Sequence, residues 1–416
     1  MKSIDIHDVF DAYYECRKNK RNKAGALQFE VDLERNLVEL WEDINNGTYY
    51  PRASSVFIVE KPVIREIFAA SFRDRIVHHI VINKLMHLFE KSFILDSYSC
   101  RKKKGTHFGI ARAERFLKRN ENGWVLKIDI RGYFMSINKI MLFEKIERFI
   151  EEKYQMPDKE ILKELCKRII FNDPTKDCIY KCKKDKWKNL PNDKSLFTAK
   201  PNCGLPIGNL TSQVFANYYL NEFDHYIKHT CGIKNYGRYV DDCIIASNDK
   251  EELKRMVWFI KHFLMSKLKL KLHPDKIYLQ PCKKGVKFLG SFIKPSHTVI
   301  NHRTIQNFKN SLFIHNKIVE DHKPNKEEVT KFMCSVNSYL GIMKHYKTFR
   351  KRYMILTNSL SLFWLKHVKI NTYDFGKVNI SQPPAPPQED KYYEYAIQYM
   401  YPPRYLKAKN TMSYRK

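Results

Sequence analysis

The stretch "RYVDDCII", residues 238–245, sets two carboxylates side by side inside an apolar run. Val240 leads in, and Cys243, Ile244 and Ile245 follow. A run of this length reads as a buried strand. A buried strand does not carry an adjacent Asp pair without compensation, because unpaired buried charge is costly. Either Asp241 and Asp242 cap a tight turn, or something cationic meets them.

The whole chain narrows the choice. It has 416 residues, enough for two or three domains, and 43% are hydrophobic, as in a folded protein. Lys and Arg number 75 against 45 Asp and Glu, a net charge of +30. Self-repulsion on that scale suits a polyanionic partner, nucleic acid before an anionic membrane. No run of about 18 apolar residues appears, so no transmembrane helix is expected. The start, "MKSIDIHDVF", has acids where a signal peptide needs an apolar core. The ten cysteines are scattered and read as reduced thiols of an intracellular protein. Cys178 and Cys182 form the one close pair, and a zinc site would need two further ligands of convincing spacing.

Periodicity supplies the elements. "SVFIV" reads as a strand, and residues 27–45 carry apolar positions at helical spacing. "FRDRIVHHIVINKLMHLFEKSFI" reads as an amphipathic helix, with Arg73, Arg75, His78 and Lys84 off its apolar stripe, on a solvated face or against RNA. "WVLKIDI" (124–130) reads as a buried strand and "NKIMLFEKIERFIEEKY" as the helix after it. Residues 173–203 are Lys-rich and weakly periodic, an exposed insertion. Then come the strand-like "TAKPNCGLPIGN", the helix "LTSQVFANYYLNEFDHYIKH", the "YVDD" hairpin, the helix "KEELKRMVWFIKHFLMSKL", and short strands in "LKLHPDKIYLQ" and "VKFLGSFI". Basic helical segments cover about 303–320 and 325–355. "QPPAPPQ" is a Pro-rich linker before an aromatic, basic tail.

This order predicts an α+β sheet that brings the end of "LKIDI" beside "YVDD", so that Asp129 and Asp241 converge. Converging carboxylates call for divalent cations. Mg²⁺ takes one or two carboxylates plus substrate phosphates. Two such ions would activate the attacking oxygen and stabilise the leaving oxygen of an in-line displacement.

At this point the sequence resembles the reverse transcriptases. "LKIDIRGYF" looks like their first catalytic motif, which makes Asp129 a metal ligand, with Ile130 beside it among the metal and nucleotide contacts. Phe134 matches the steric gate against a 2′-hydroxyl, although by itself it reads equally as a core aromatic. "GLPIGNLTSQ" resembles the palm motif that abuts the templating and incoming nucleotides, through Ile207, Gly208 and Gln213. "YVDD" matches the second catalytic motif, with Asp241 the second ligand and Asp242 a supporting carboxylate. "HPDKI" places Lys276 where the family has a lysine that protonates the leaving pyrophosphate; without the family it is a solvated lysine. "KFLGSFI" resembles the primer grip. "KPVIREI" and "RDRIVHH" match finger motifs in which Lys61 and Arg65 meet the triphosphate, and "SYSCRKKKGTH" matches a further one. The resemblance covers residues 50–355.

The resemblance implies a right-hand polymerase fold: an N-terminal segment and fingers over 1–120, a ferredoxin-like palm with an antiparallel sheet over 121–300, and a finger-forming basic insertion around 150–205. A helical thumb over 301–380 and a linker and tail over 381–416 complete it. It implies two Mg²⁺ ions, with Mn²⁺ as a substitute, and template RNA, cDNA and dNTPs as partners, with no membrane. "LPIGNLTSQ", "DSYSCRKKKGTH" and "NSYLGIMKHY" look like the reverse transcriptases of diversity-generating retroelements. Those enzymes copy a template-repeat RNA into adenine-mutagenised cDNA for mutagenic retrohoming, and work with a small, basic, oligomeric accessory protein. A bacterial or phage-encoded cytoplasmic enzyme is the matching expectation. Two departures stand out: "RGYF" where "RKFF" is common, and the basic insertion. Retron-, defence- or intron-type enzymes, or a non-catalytic RNA-binding maturase, are the alternatives.

Overall fold

A computed structural model describes residues 3–380, apart from 19, 21, 62 and 372. The linker and tail expected over 381–416 lie outside the described residues. The chain divides into two units, Met1–Thr298 and Val299–Lys416. Seven strands of the first unit concern the site: β1 (Ser54–Val59), β2 (Arg65–Ala69), β3 (Trp124–Asp129), β4 (Cys178–Tyr180), β5 (Tyr236–Tyr239), β6 (Asp242–Ser247) and β7 (Tyr278–Pro281).

The palm sheet runs β5-β6-β3-β7 and is antiparallel throughout. Leu126, Ile128, Cys243 and Ile245 face the main core, which takes in the helices Lys139–Lys153, Leu210–Tyr219 and Lys250–Leu268. Val125, Ile244 and Ala246 face the opposite way, onto Ile110, Ala113, Phe116 and Leu117 of the helix Thr106–Arg119. Burial on both faces explains why β6 reads as an unbroken apolar run rather than an alternation. This mixed helix-and-sheet architecture is the right-hand polymerase fold.

Four expectations need correction. "TAKPNCGLPIGN" is not a strand. Asn202, Gly204 and Gly208 have positive φ, and the segment touches the rest of the backbone ladder through a bridge of Cys203 to Asn138. Pro201, Pro206 and three left-handed residues cannot sustain a ladder. The insertion is not simply exposed, because β4 pairs in parallel with β1 to extend the β1–β2 finger hairpin. The polar residues of the helix Phe72–Ser92 are mostly neither solvated nor free for RNA. Arg73 and His78 are buried, Arg75 donates to Ala70 O, and Lys84 pairs with Asp8 (2.6 Å) and Asp158 (2.8 Å). In the second unit the single segment 325–355 is two helices, Lys326–Lys344, opened by an Asn325/Glu328 capping box, and Phe349–Ser359. Phe332 stacks on Trp364 at 3.8 Å in that unit's core.

Candidate active site

The hairpin β5–β6 turns through only Val240 and Asp241, since Tyr239 pairs with Asp242. Val240 has φ of +56°. Two-residue hairpin loops need a positive φ at their first position and normally place Gly or Asn there. A β-branched residue in that region is strained, and such strain gathers at functional sites. Across the sheet, Asp129 ends β3 directly opposite Asp242. Three carboxylates from two strand ends therefore meet at one edge.

Their electrostatics answer the question raised by the sequence. Lys276 Nζ lies 3.0 and 3.1 Å from the two Asp129 oxygens, and Lys127 Nζ lies 3.1 Å from Asp242 Oδ1. Two lysines thus face three carboxylates. Burial, then the neighbouring Asp129 and Asp242, pushes the Asp241 carboxyl up to about 7. Burial also raises Asp242, against the pull of Lys127.

A carboxylate so desolvated, beside two like charges, suits an added cation. Ile130 makes one bridge with Leu272, flanked by Arg131 N–H to Lys271 O (2.9 Å) and His273 N–H to Asp129 O (2.8 Å). In that pattern the Ile130 carbonyl points away from Leu272, toward the hairpin. Among the described residues no group of three His, Cys, Asp or Glu side chains is built to hold a metal alone. Two carboxylates and a carbonyl, completed by substrate phosphates and water, fit Mg²⁺ or Mn²⁺ better than an ion that demands an all-protein cage.

The remaining candidates fall into two groups. Phe134 and Ile207 both pack against the cluster Val56, Phe68, Met135 and Leu196, where the finger hairpin meets the palm. Ile207 O accepts from Phe68 N–H at 2.8 Å. Gly208 has φ of +127°, and a Cβ there would sit 2.9 Å from Phe68 O, so only glycine lets the loop approach the finger strand this closely. Gln213 is exposed, its Oε1 accepting from Cys100 Sγ at 3.4 Å. Lys61 and Arg65 are exposed, Lys61 in the turn of the finger hairpin and Arg65 at the start of β2, in a different sheet from β3 and β6. The structure therefore brings Asp129, Ile130, Asp241, Asp242 and Lys276 together, sets Phe134 and Ile207 on a common cluster, and leaves Lys61 and Arg65 on a separate sheet.

Several residues beneath the site escaped the sequence reading. Arg238 and Asp224 are wholly buried and joined by two hydrogen bonds, Nε to Oδ1 (2.7 Å) and Nη2 to Oδ2 (2.5 Å). Burial disfavours the Arg238 charge, but Asp224 outweighs it and holds the guanidinium ionised. Residues 96–98 of the "DSYSCRKKKGTH" motif line β5: Arg238 N–H donates to Asp96 O and Tyr98 N–H to Arg238 O, each at 2.9 Å. A Cβ at Gly237 would fall 2.2 Å from the Tyr98 hydroxyl. Glu66, fully buried on β2, accepts from Trp187 Nε1 (2.6 Å), Ser195 Oγ (2.8 Å) and Leu196 N–H (2.6 Å), which clamps the insertion to the finger hairpin. The available signal was an Arg at 238 and a Glu at 66 inside strand-like runs, since a charge in such a run demands a buried partner.

The family profile described as "Reverse transcriptase (RNA-dependent DNA polymerase)" matches residues 60–293, a little over half of the chain. Protein YkfC of Escherichia coli is 23% identical over 304 residues, covering 64% of this chain and 72% of its own. The group II intron-encoded protein LtrA of Lactococcus lactis is 21% identical, covering 68% and 55%. A putative COX1/OXI3 intron 1 protein of Saccharomyces cerevisiae is 20% identical, covering 75% and 36%. The chain thus spans between about a third and three quarters of these relatives. Among solved structures, a telomerase from Candida albicans in complex with a fragment of telomeric RNA aligns at 12% identity and a TM-score of 0.43, over 76% of this chain and 58% of that one. No helix among the described residues is long and apolar enough to cross a membrane.

Proposed function

The chain belongs to the reverse transcriptase family of RNA-dependent DNA polymerases, and from that footing we propose that it copies a template-repeat RNA into adenine-mutagenised cDNA, as the polymerase of a diversity-generating retroelement. Asp129, Asp241 and the Ile130 carbonyl hold the divalent ions, and Asp242 supports them. When bound, two Mg²⁺ ions neutralise charge on the attacking and leaving oxygens. The chain's own residues do the rest, because phosphoryl transfer asks for positioning and charge more than covalent help. Lys61 and Arg65 grip the triphosphate, Arg65 in a bidentate fork. Phe134 blocks a 2′-hydroxyl by bulk. Gly208 and Gln213 shape the loop and helix next to the nascent pair. Lys276 gives its proton to the leaving pyrophosphate. A small, basic, oligomeric accessory protein is the expected partner.

The observation that carries the finer reading is Ile207. Its carbonyl is committed to Phe68, and its side chain packs against the same apolar cluster as Phe134. It offers a nascent base pair volume and no hydrogen bond, so it discriminates weakly between right and wrong pairs. The test is to copy a defined RNA and sequence the cDNA. Substitutions concentrated at template adenines support the proposal. Uniformly faithful copying favours a second reading, an intron-type reverse transcriptase, which the similarity to the Lactococcus lactis and yeast intron proteins favours. Two near-identical repeats in the neighbouring DNA, differing mainly at adenines, would decide the same question.

A further inference from the structure

We propose that Arg238 and Asp224 are positioning residues of the active site: a buried ion pair that holds the strained Val240–Asp241 turn, and through it the Asp241 carboxylate, in the geometry that receives metal. The inference rests on the polymerase reading of the site.

The turn needs a holder. Val240 at φ +56° pays a steric cost that glycine would not. In a two-residue loop the only other residue that can absorb the strain is Asp241 itself. Left alone it would relax, and Asp241 would move with it.

Arg238 supplies the restraint. Its Nη1 donates to Val240 O at 2.9 Å. The guanidinium is a rigid planar fork, so fixing two of its nitrogens fixes the third. Asp224 fixes Nε and Nη2, at 2.7 and 2.5 Å. Nη2 also donates to Asn217 O (3.1 Å) and reaches Ser97 Oγ (3.5 Å). Asp224 is held in turn by Tyr236 OH, which donates to Oδ1 at 2.6 Å. The plane of the fork is thereby determined by the helix Asn221–His225 and delivered to the turn two residues beyond Arg238.

Stability alone does not account for such a pair. Taking two charges out of water is costly, and well-packed apolar residues serve a core at least as well. Both side chains are fully buried, so neither meets substrate. The feature that an apolar replacement could not reproduce is the directed donor to Val240 O.

The test compares wild type with Arg238→Lys, Val240→Gly and the double variant. It uses three readouts: Mn²⁺ affinity by paramagnetic resonance, kcat and KM for single-nucleotide extension of a primed RNA, and the thermal midpoint. Arg238→Lys keeps the charge but not the fork. It should lower kcat and weaken Mn²⁺ binding at least about tenfold, the usual scale for a residue that orients a ligand, with little change in the dNTP KM. Glycine at 240 adopts positive φ unaided. The double variant should therefore recover the kcat and Mn²⁺ affinity of Val240→Gly alone, while its midpoint stays as low as that of Arg238→Lys. A wild-type kcat and affinity in Arg238→Lys would overturn the proposal. So would a loss that glycine does not restore and that follows the midpoint, because that is what a merely structural pair predicts. If Arg238→Lys does not fold, Asp224→Asn removes the same restraint with less change in shape, and should show the same recovery by glycine. If the wild type binds Mn²⁺ but extends no primer, the polymerase reading fails, and the metal-affinity pattern still decides the role of the pair.

Discussion

Replacing Asp241 by Asn should stabilise the protein and abolish its activity together. The folded carboxyl keeps its proton up to about pH 7, because burial and the facing Asp129 and Asp242 oppose its charge. In an unfolded chain an Asp loses its proton near pH 3.9. Folding therefore binds a proton between those values, and wild-type stability declines as pH rises from about 4 to about 7, then levels off. At about 1.4 kcal/mol per unit the loss approaches 4 kcal/mol, and solvent at the partly exposed edge of the site brings it to the order of 2–4 kcal/mol. Asn carries no such loss. In EDTA at pH 8 the variant should melt about 3–6 °C above wild type, and the gap should close toward pH 4. Added Mg²⁺ should raise the wild-type midpoint and leave that of the variant nearly unchanged, since a ligand stabilises only the form that binds it. Primer extension should fall about a thousandfold, since one unit charge about 4 Å from a cation at an effective dielectric near 20 is worth on the order of 4 kcal/mol. Thermal melts at stepped pH, with and without Mg²⁺, and extension assays on a primed RNA measure all of this. A variant no more stable than wild type at pH 8 in EDTA would show that Lys276 and Lys127 already compensate the cluster. A variant that keeps half of the extension rate would remove Asp241 from metal binding.

Phe134→Ala should admit ribonucleotides, because bulk is the only means Phe134 has to reject a 2′-hydroxyl; unchanged rejection in a ribonucleotide competition assay would assign the ring to the core cluster it already touches. Ile207→Gln should lower misinsertion opposite template adenine by about tenfold if the added side chain contributes one discriminating hydrogen bond, measured by single-nucleotide incorporation against each RNA base. RNA affinity should fall steeply with salt through counterion release. Reversing the exposed Lys181, Lys183 and Lys184, or Lys347, Arg350 and Lys351, should flatten that slope in a filter-binding titration. Lys344 and Arg352, which the sequence places in the same basic stretch, are left out: Lys344 pairs with Asp374 at 2.7 Å, and Arg352 is buried and donates to the carbonyls of Asp374 and Phe375.

What the sequence made legible follows the range of each physical signal. β3 and β6 were readable because burial on both faces leaves a continuous apolar run, and an Asp at the end of such a run is conspicuous. The convergence of Asp129 with Asp241 followed from strand order. The partners of buried charges were not readable, because nothing local encodes them. The helix Phe72–Ser92 shows its apolar stripe, but Lys84 meets Asp8 and Asp158 from distant helices, 76 and 74 positions away. Arg238 finds Asp224 on another element, and Glu66 finds Trp187 across 121 positions. "TAKPNCGLPIGN" misled for a different reason: its alternation resembles a strand, while its prolines and left-handed residues forbid one.

The two departures from the family pattern turn out to touch each other. Gly132 has φ of +52°, and a Cβ there would come 2.7 Å from the backbone carbonyl of Asp193, in the insertion. Arg131 Nε donates to Asp193 Oδ2 at 3.0 Å. On its other side the insertion is held by Glu66 and by a Lys186–Glu60 ion pair of 2.8 Å. The insertion is therefore a strap between the residues that follow Asp129 and the hairpin that carries Lys61 and Arg65. A lysine at 132, as in the common pattern, would collide with the strap's backbone and could not adopt this φ without strain. The glycine is the condition for the strap, and the strap in turn restrains a glycine that would otherwise leave the backbone free to turn three residues after Asp129.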